Sequence, residues 1–135
     1  MIARHTLAAA RAASAARPDR PAMAIIHDGP DARLVVFRLS PGQFVAPHRS
    51  SSTVMLQVLE GIGVISHEDR DMLCTQGDLL VFEPNELHGM RAQDEELLLL
   101  ATMTPRPSSR QQRSNEDSAT TMRPELRQFL QTTAV

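Results

Sequence analysis

What most constrains this chain is a rhythm. Between Met23 and Met103, short apolar runs are interrupted by turn residues about every eight to twelve positions, the spacing of an all-β sandwich or barrel. Three segments show the pattern best. Residues 32–40 (ARLVVFRLS) run into Pro41-Gly42, residues 53–60 (TVMLQVLE) into Gly61, and residues 78–83 (DLLVFE) into Pro84-Asn85. Each is a β-prone stretch closed by residues that favour turns. Residues 62–66 and 71–75 flank the polar stretch His67-Glu68-Asp69-Arg70 as a hairpin, and residues 96–103 form a last buried strand. The acid run Asp94-Glu95-Glu96 ahead of it reads as a solvated turn.

The flanks differ in texture. Residues 1–22 are rich in Ala and Arg and carry no acid before Asp19, a composition shared by organellar transit peptides. Alanine is the best helix former and Arg11 interrupts any signal-peptide core, so an N-terminal helix or tail is expected. The barrel spans 23–104, followed by a polar linker over 105–122. In the segment 123–135, Pro124 stands at a plausible first helical position and Leu126, Phe129 and Leu130 recur at helical spacing, which predicts a short C-terminal helix and tail.

Composition closes several functional classes. All 14 Lys+Arg residues are Arg, so Schiff-base chemistry, a Walker-type phosphate loop and a kinase-type lysine are excluded. Four Phe with no Trp or Tyr leave little with which to stack bases, and a net charge of −2 offers no general attraction to nucleic acid or to an anionic membrane. The single cysteine, Cys74, cannot form an internal disulfide and suits a reducing cytoplasm, while sitting in a strand as an inert buried thiol. Ser50-Ser51-Ser52 lies in no nucleophile-elbow motif and reads as a loop. The all-Arg, Ala-rich usage also suits a GC-rich bacterial genome.

Two histidines stand where strands meet loops. His48 closes Gly42-Gln43-Phe44-Val45-Ala46-Pro47-His48, and His88 lies eleven residues after Gly77, beyond Pro84. With Gly61, these residues resemble the cupin superfamily, whose first motif reads G-x5-H-x-H-x3,4-E-x6-G and whose second reads G-x5-P-x-G-x2-H-x3-N. Gly42, His48 and Gly61 match the first motif, and Gly77, Pro84 and His88 match the second with one residue of slippage. The resemblance implies a double-stranded β-helix, or jelly-roll, barrel over 23–104, with a pocket in its mouth at His48, Ser50, Val54, Leu56 and His88. It also implies a homodimer.

The departures bear on chemistry. A typical cupin metal site takes two His and a Glu from the first motif and one His from the second. Here Ser50 occupies the second His position and Val54 the Glu position. A divalent transition metal (Zn, Fe, Mn or Ni) at partial occupancy would rest on His48 and His88, with a third ligand recruited off the motif from His27, Glu83 or Glu86. His27 otherwise reads as a strand-end histidine, and His5 and His67 as solvent-exposed. Met55, Met90 and Met103 read as core filler or as an adaptable apolar lining.

Three readings follow. The first is a small-molecule binding or sensory domain without catalysis. The second is a metal-dependent enzyme of oxygenase or isomerase type using His48 and His88. The third is a dimerisation module whose C-terminal helix docks on a partner. The loss of two ligand positions favours the first.

Overall fold

The computed structural model describes residues 1–107. The C-terminal helix expected over 123–135 and nearly all of the linker lie outside the described residues. One helix, α1 (Thr6–Ala12), precedes seven strands: β1 (Ala22–Asp28), β2 (Arg33–Leu39), β3 (Phe44–His48), β4 (Thr53–His67), β5 (Arg70–Thr75), β6 (Leu79–Phe82) and β7 (His88–Thr104). All pairings between the strands are antiparallel. The order is β1-β2-β7-β4-β5, with β3 also on β7 and β6 also on β4.

β4 and β7 organise the barrel, because each is long enough to serve both of its layers. The expected stop at Gly61 is not a stop: β4 runs straight through it to His67. Gly61 adopts φ +90, and the β4–β7 register slips on either side of it, so the residue bends the strand rather than ending it. β7 likewise begins at His88, well before the strand expected from 96. The acid run Asp94-Glu95-Glu96 is solvated, but inside this strand rather than in a turn.

The apolar run Leu97-Leu98-Leu99 shows why alternation fails locally. Leu97 and Leu99 enter the barrel core with Leu39, Val58 and Ile65, whereas Leu98 faces outward beneath α1 with Val36 and Ala10. A strand covered on both faces needs apolar residues at every position. The N-terminal helix is therefore a lid on the outer sheet face, capped by His5, whose Nδ1 accepts from the Ala8 amide. Cys74 is fully buried in the core, where burial pushes its thiol pKa up. Among the described residues no helix is long and apolar enough to cross a membrane.

The chain's exit from β7 is tied down by charge. Asp28 accepts from Arg33 through Nε and Nη2, each at 3.1 Å, and from Arg106 through Nε at 2.5 Å and Nη2 at 3.1 Å. The two guanidinium groups hold the Asp28 carboxyl far below the usual carboxylate range. The clamp fastens the end of β1 to the residues that follow β7.

Candidate functional site

β3 and β7 bring the two motif histidines together. His48 and His88 are directly paired across the β3–β7 ladder, with ring centroids 4.6 Å apart and planes tilted by 56°. Each ring has one nitrogen committed to the backbone carbonyl two residues before it. His48 Nδ1 lies 2.9 Å from the Ala46 carbonyl, and His88 Nδ1 lies 3.0 Å from the Glu86 carbonyl. A carbonyl can only accept, so both Nδ1 atoms carry the proton and donate it. Each neutral ring then presents Nε2 as a lone-pair acceptor. His88 also stacks on Phe82, at 4.7 Å and 14°.

The pair forms the polar end of a cavity of about 50 Å³. Its apolar wall comes from Phe37, Val54, Leu56, Met90, Ala101 and Met103, and Ser50 and Gly89 complete the lining. The five residues singled out from the motifs, His48, Ser50, Val54, Leu56 and His88, all line it. Met90 and Met103 do so as well, while Met55 is not among the lining residues. Gly89 allows close packing here: a Cβ would lie 2.9 Å from the Val45 carbonyl oxygen. The Ser50 hydroxyl accepts from the Ser52 amide at 3.1 Å, and the Ser50 carbonyl accepts from the Asn85 amide at 2.7 Å. The first bond shapes the loop after β3, and the second anchors it to the turn before β7.

The off-motif carboxylates and His27 do not join the pair. None of His27, Glu83 and Glu86 lines the cavity. Glu86 is instead engaged by His67 Nε2 and by the Glu83 amide, the latter at 2.7 Å. Among the described residues, no group of three or more His, Cys, Asp or Glu side chains is placed to hold a metal. Val54 occupies the cavity wall where the cupin resemblance would put a glutamate. The donor set therefore does not fit the divalent metal implied by that resemblance.

His67 carries more than sequence reasoning assigned to it. It is half-exposed, but it pairs in register with His88, lies with its ring centroid 5.7 Å from that of Phe82 and engages Glu86. Nothing local in the sequence marks this. The signal lies in the β4–β7 register, which sets His67 opposite His88 across a separation of 21 positions. Next to it, Glu68 accepts from the Leu87 amide and from Arg49, which hold its carboxyl below the usual range.

Burial decides the protonation state of the site. Desolvation pushes His48 down, and desolvation with the neighbouring His48 pushes His88 down to about 4. Both are neutral at pH 7. The unfolded chain takes up these protons near 6.5, and folded His88 only near 4. Stability from this source is therefore complete above about pH 6.5, declines as the pH falls, and is exhausted below about 4. For His88 alone the loss reaches roughly 3 kcal/mol. Urea midpoints across this window should fall for the wild type and fall less for His88→Gln; parallel profiles would contradict the assignment.

Comparisons with known proteins agree with this architecture. Residues 34–135 match the sequence pattern of a family described as AraC-like ligand binding domain. No curated protein gives a significant match. Among solved structures, an RmlC-like cupin protein from Desulfovibrio desulfuricans superposes with a TM-score of 0.66 at 25% identity, covering 78% of this chain and 98% of that one. TT1209 from Thermus thermophilus gives 0.65 at 23% identity, covering 72% and 94%. KdgF from Halomonas sp. gives 0.64 at 21% identity, covering 70% and 87%. These likenesses show the double-stranded β-helix fold.

Proposed function

The chain belongs to the family of AraC-like ligand binding domains, and from that premise we propose that its barrel cavity takes a small organic molecule as a signal, without catalysis. The observation that carries this reading is the cavity itself. It has apolar walls and one polar end made of two neutral imidazoles, with Ser50 beside them, the composition of a recognition pocket. No charged side chain is among the residues that line it.

Size and chemistry narrow the ligand. At about 50 Å³ the cavity is far smaller than the roughly 300 Å³ at the low end for drug-sized ligands. It suits a compound of few heavy atoms that offers hydrogen-bond donors to the two Nε2 atoms. Met90 and Met103 give the wall some adaptability. A metal-dependent enzyme of the kind the cupin resemblance implies would need a carboxylate ligand beside His48 and His88, and none lines the cavity.

A thermal-shift screen of the metal-free protein against small metabolites tests the reading. A compound at 100 times its Kd should stabilise the fold by about 2.7 kcal/mol, a rise in Tm of several degrees. A broad panel with no stabilising member would overturn it.

We also propose that the protein acts as a homodimer in the cytoplasm, without nucleic-acid or membrane partners for this domain. Support comes from β1, an edge strand that exposes Met23 and Ile25, a face better covered than left to water. Sedimentation equilibrium should give twice the chain mass; a monomer at micromolar concentration would sink this part.

A further inference from the structure

The mismatch between the donor set and a divalent metal has a positive side. Four side chains that line the cavity carry soft or borderline donor atoms: His48 and His88 through nitrogen, Met90 and Met103 through thioether sulfur. His88 and Met90 are two residues apart on β7 and line the same cavity, and His48 faces His88 across the ladder. The Nδ1 bonds to the Ala46 and Glu86 carbonyls fix both rings and leave both Nε2 atoms free to coordinate. None of the four donors bears a charge.

An uncharged donor set in a buried cavity discriminates by ion charge. The cost of taking an ion out of water grows with the square of its charge, so a dication without a carboxylate partner pays about four times the penalty of a monocation. Thioether sulfur adds selectivity, since it favours Cu(I) over the harder divalent ions. We propose that this cavity is a Cu(I) site, held by Nε2 of His48 and His88 with thioether sulfur from Met90 and Met103. The site uses the cavity of the ligand-binding reading but requires no organic ligand.

The test is an anaerobic competition of the apo-protein for Cu(I) against the chromophoric chelator bicinchoninate, with Zn(II) titrated in parallel. The wild type should take one equivalent of Cu(I) and hold it more tightly than Zn(II). Cys74→Ala should behave identically, which excludes the buried thiol as the donor. Met90→Leu combined with Met103→Leu conserves volume and should fold, yet weaken Cu(I) by about tenfold or more. His48→Gln should abolish competition. The proposal is overturned if the chelator strips all Cu(I) from the wild type, if Zn(II) binds more tightly, if the double methionine variant is unaffected, or if Cys74→Ala alone removes binding. Because the metabolite screen uses metal-free protein, failure here leaves the small-molecule reading standing, and the reverse also holds.

Discussion

Replacing Gly61 by alanine should unfold the protein. Gly61 sits at φ +90, a region that L side chains rarely adopt, and a Cβ there would lie 1.9 Å from the Glu96 carbonyl oxygen. The obstruction is backbone from β7, so no rotamer change relieves it. β4 would have to part from β7 at the bend where both strands pass between layers. The expected loss exceeds about 4 kcal/mol, a large share of the roughly 5–15 kcal/mol that stabilises a domain. Gly42→Ala is the informative control. Gly42 also has positive φ, at +82, but a Cβ would meet nothing within 4 Å, so only the conformational cost of about 1 kcal/mol applies. Far-UV circular dichroism and thermal melts should show a folded Gly42 variant and a largely unfolded Gly61 variant. Equal penalties would mean that the close approach of β4 and β7 is not what requires Gly61.

The second large effect concerns Val54. Its side chain shares the cavity with His48 and His88 and belongs to the barrel core, at 4% exposure. Val54→Glu would bury a carboxylate among apolar neighbours and lower the stability of the apo-protein by roughly 2–4 kcal/mol at neutral pH. It would also complete a set of three protein ligands, the number that catalytic zinc uses. Zn(II) or Ni(II) should therefore recover much of the lost stability in this variant while leaving the wild-type Tm nearly unchanged. Differential scanning fluorimetry with and without metal reads both effects. A variant as stable as the wild type and indifferent to metal would show that Val54 does not face the histidine pair.

These two residues also mark what was legible in the sequence. The strand rhythm and the spacing from Gly42 to His48 and Gly61 located the barrel, because turn chemistry and motif spacing are local properties. The continuity of β4 through Gly61 was not local. It depends on the Glu96 backbone pressing against that glycine from a strand 35 positions away. The early start of β7 was hidden for a related reason: Gly89 and Arg91 interrupt the apolar pattern, and the pairing of 88–92 with β3 and β4 supplies the order instead. The cavity's lining could be named in part, since motif positions in a barrel of this type face inward. The role of Met103 depended on curvature that brings both ends of β7 to one cavity, and that of His67 on the pairing of distant strands.

The most direct test of the account is whether binding occurs in the cavity between the histidine pair and Ala101. Ala101 lines that cavity and lies at the centre of the β2–β7–β4 pairing. Ala101→Leu should fill the space at an overpacking cost of about 1–3 kcal/mol while keeping the fold. Isothermal titration of the strongest compound from the metabolite screen into both proteins decides the matter. The wild type should give a measurable Kd, and the folded variant should lose about tenfold or more in affinity. Equal affinity for the two proteins would place the binding site elsewhere and contradict it.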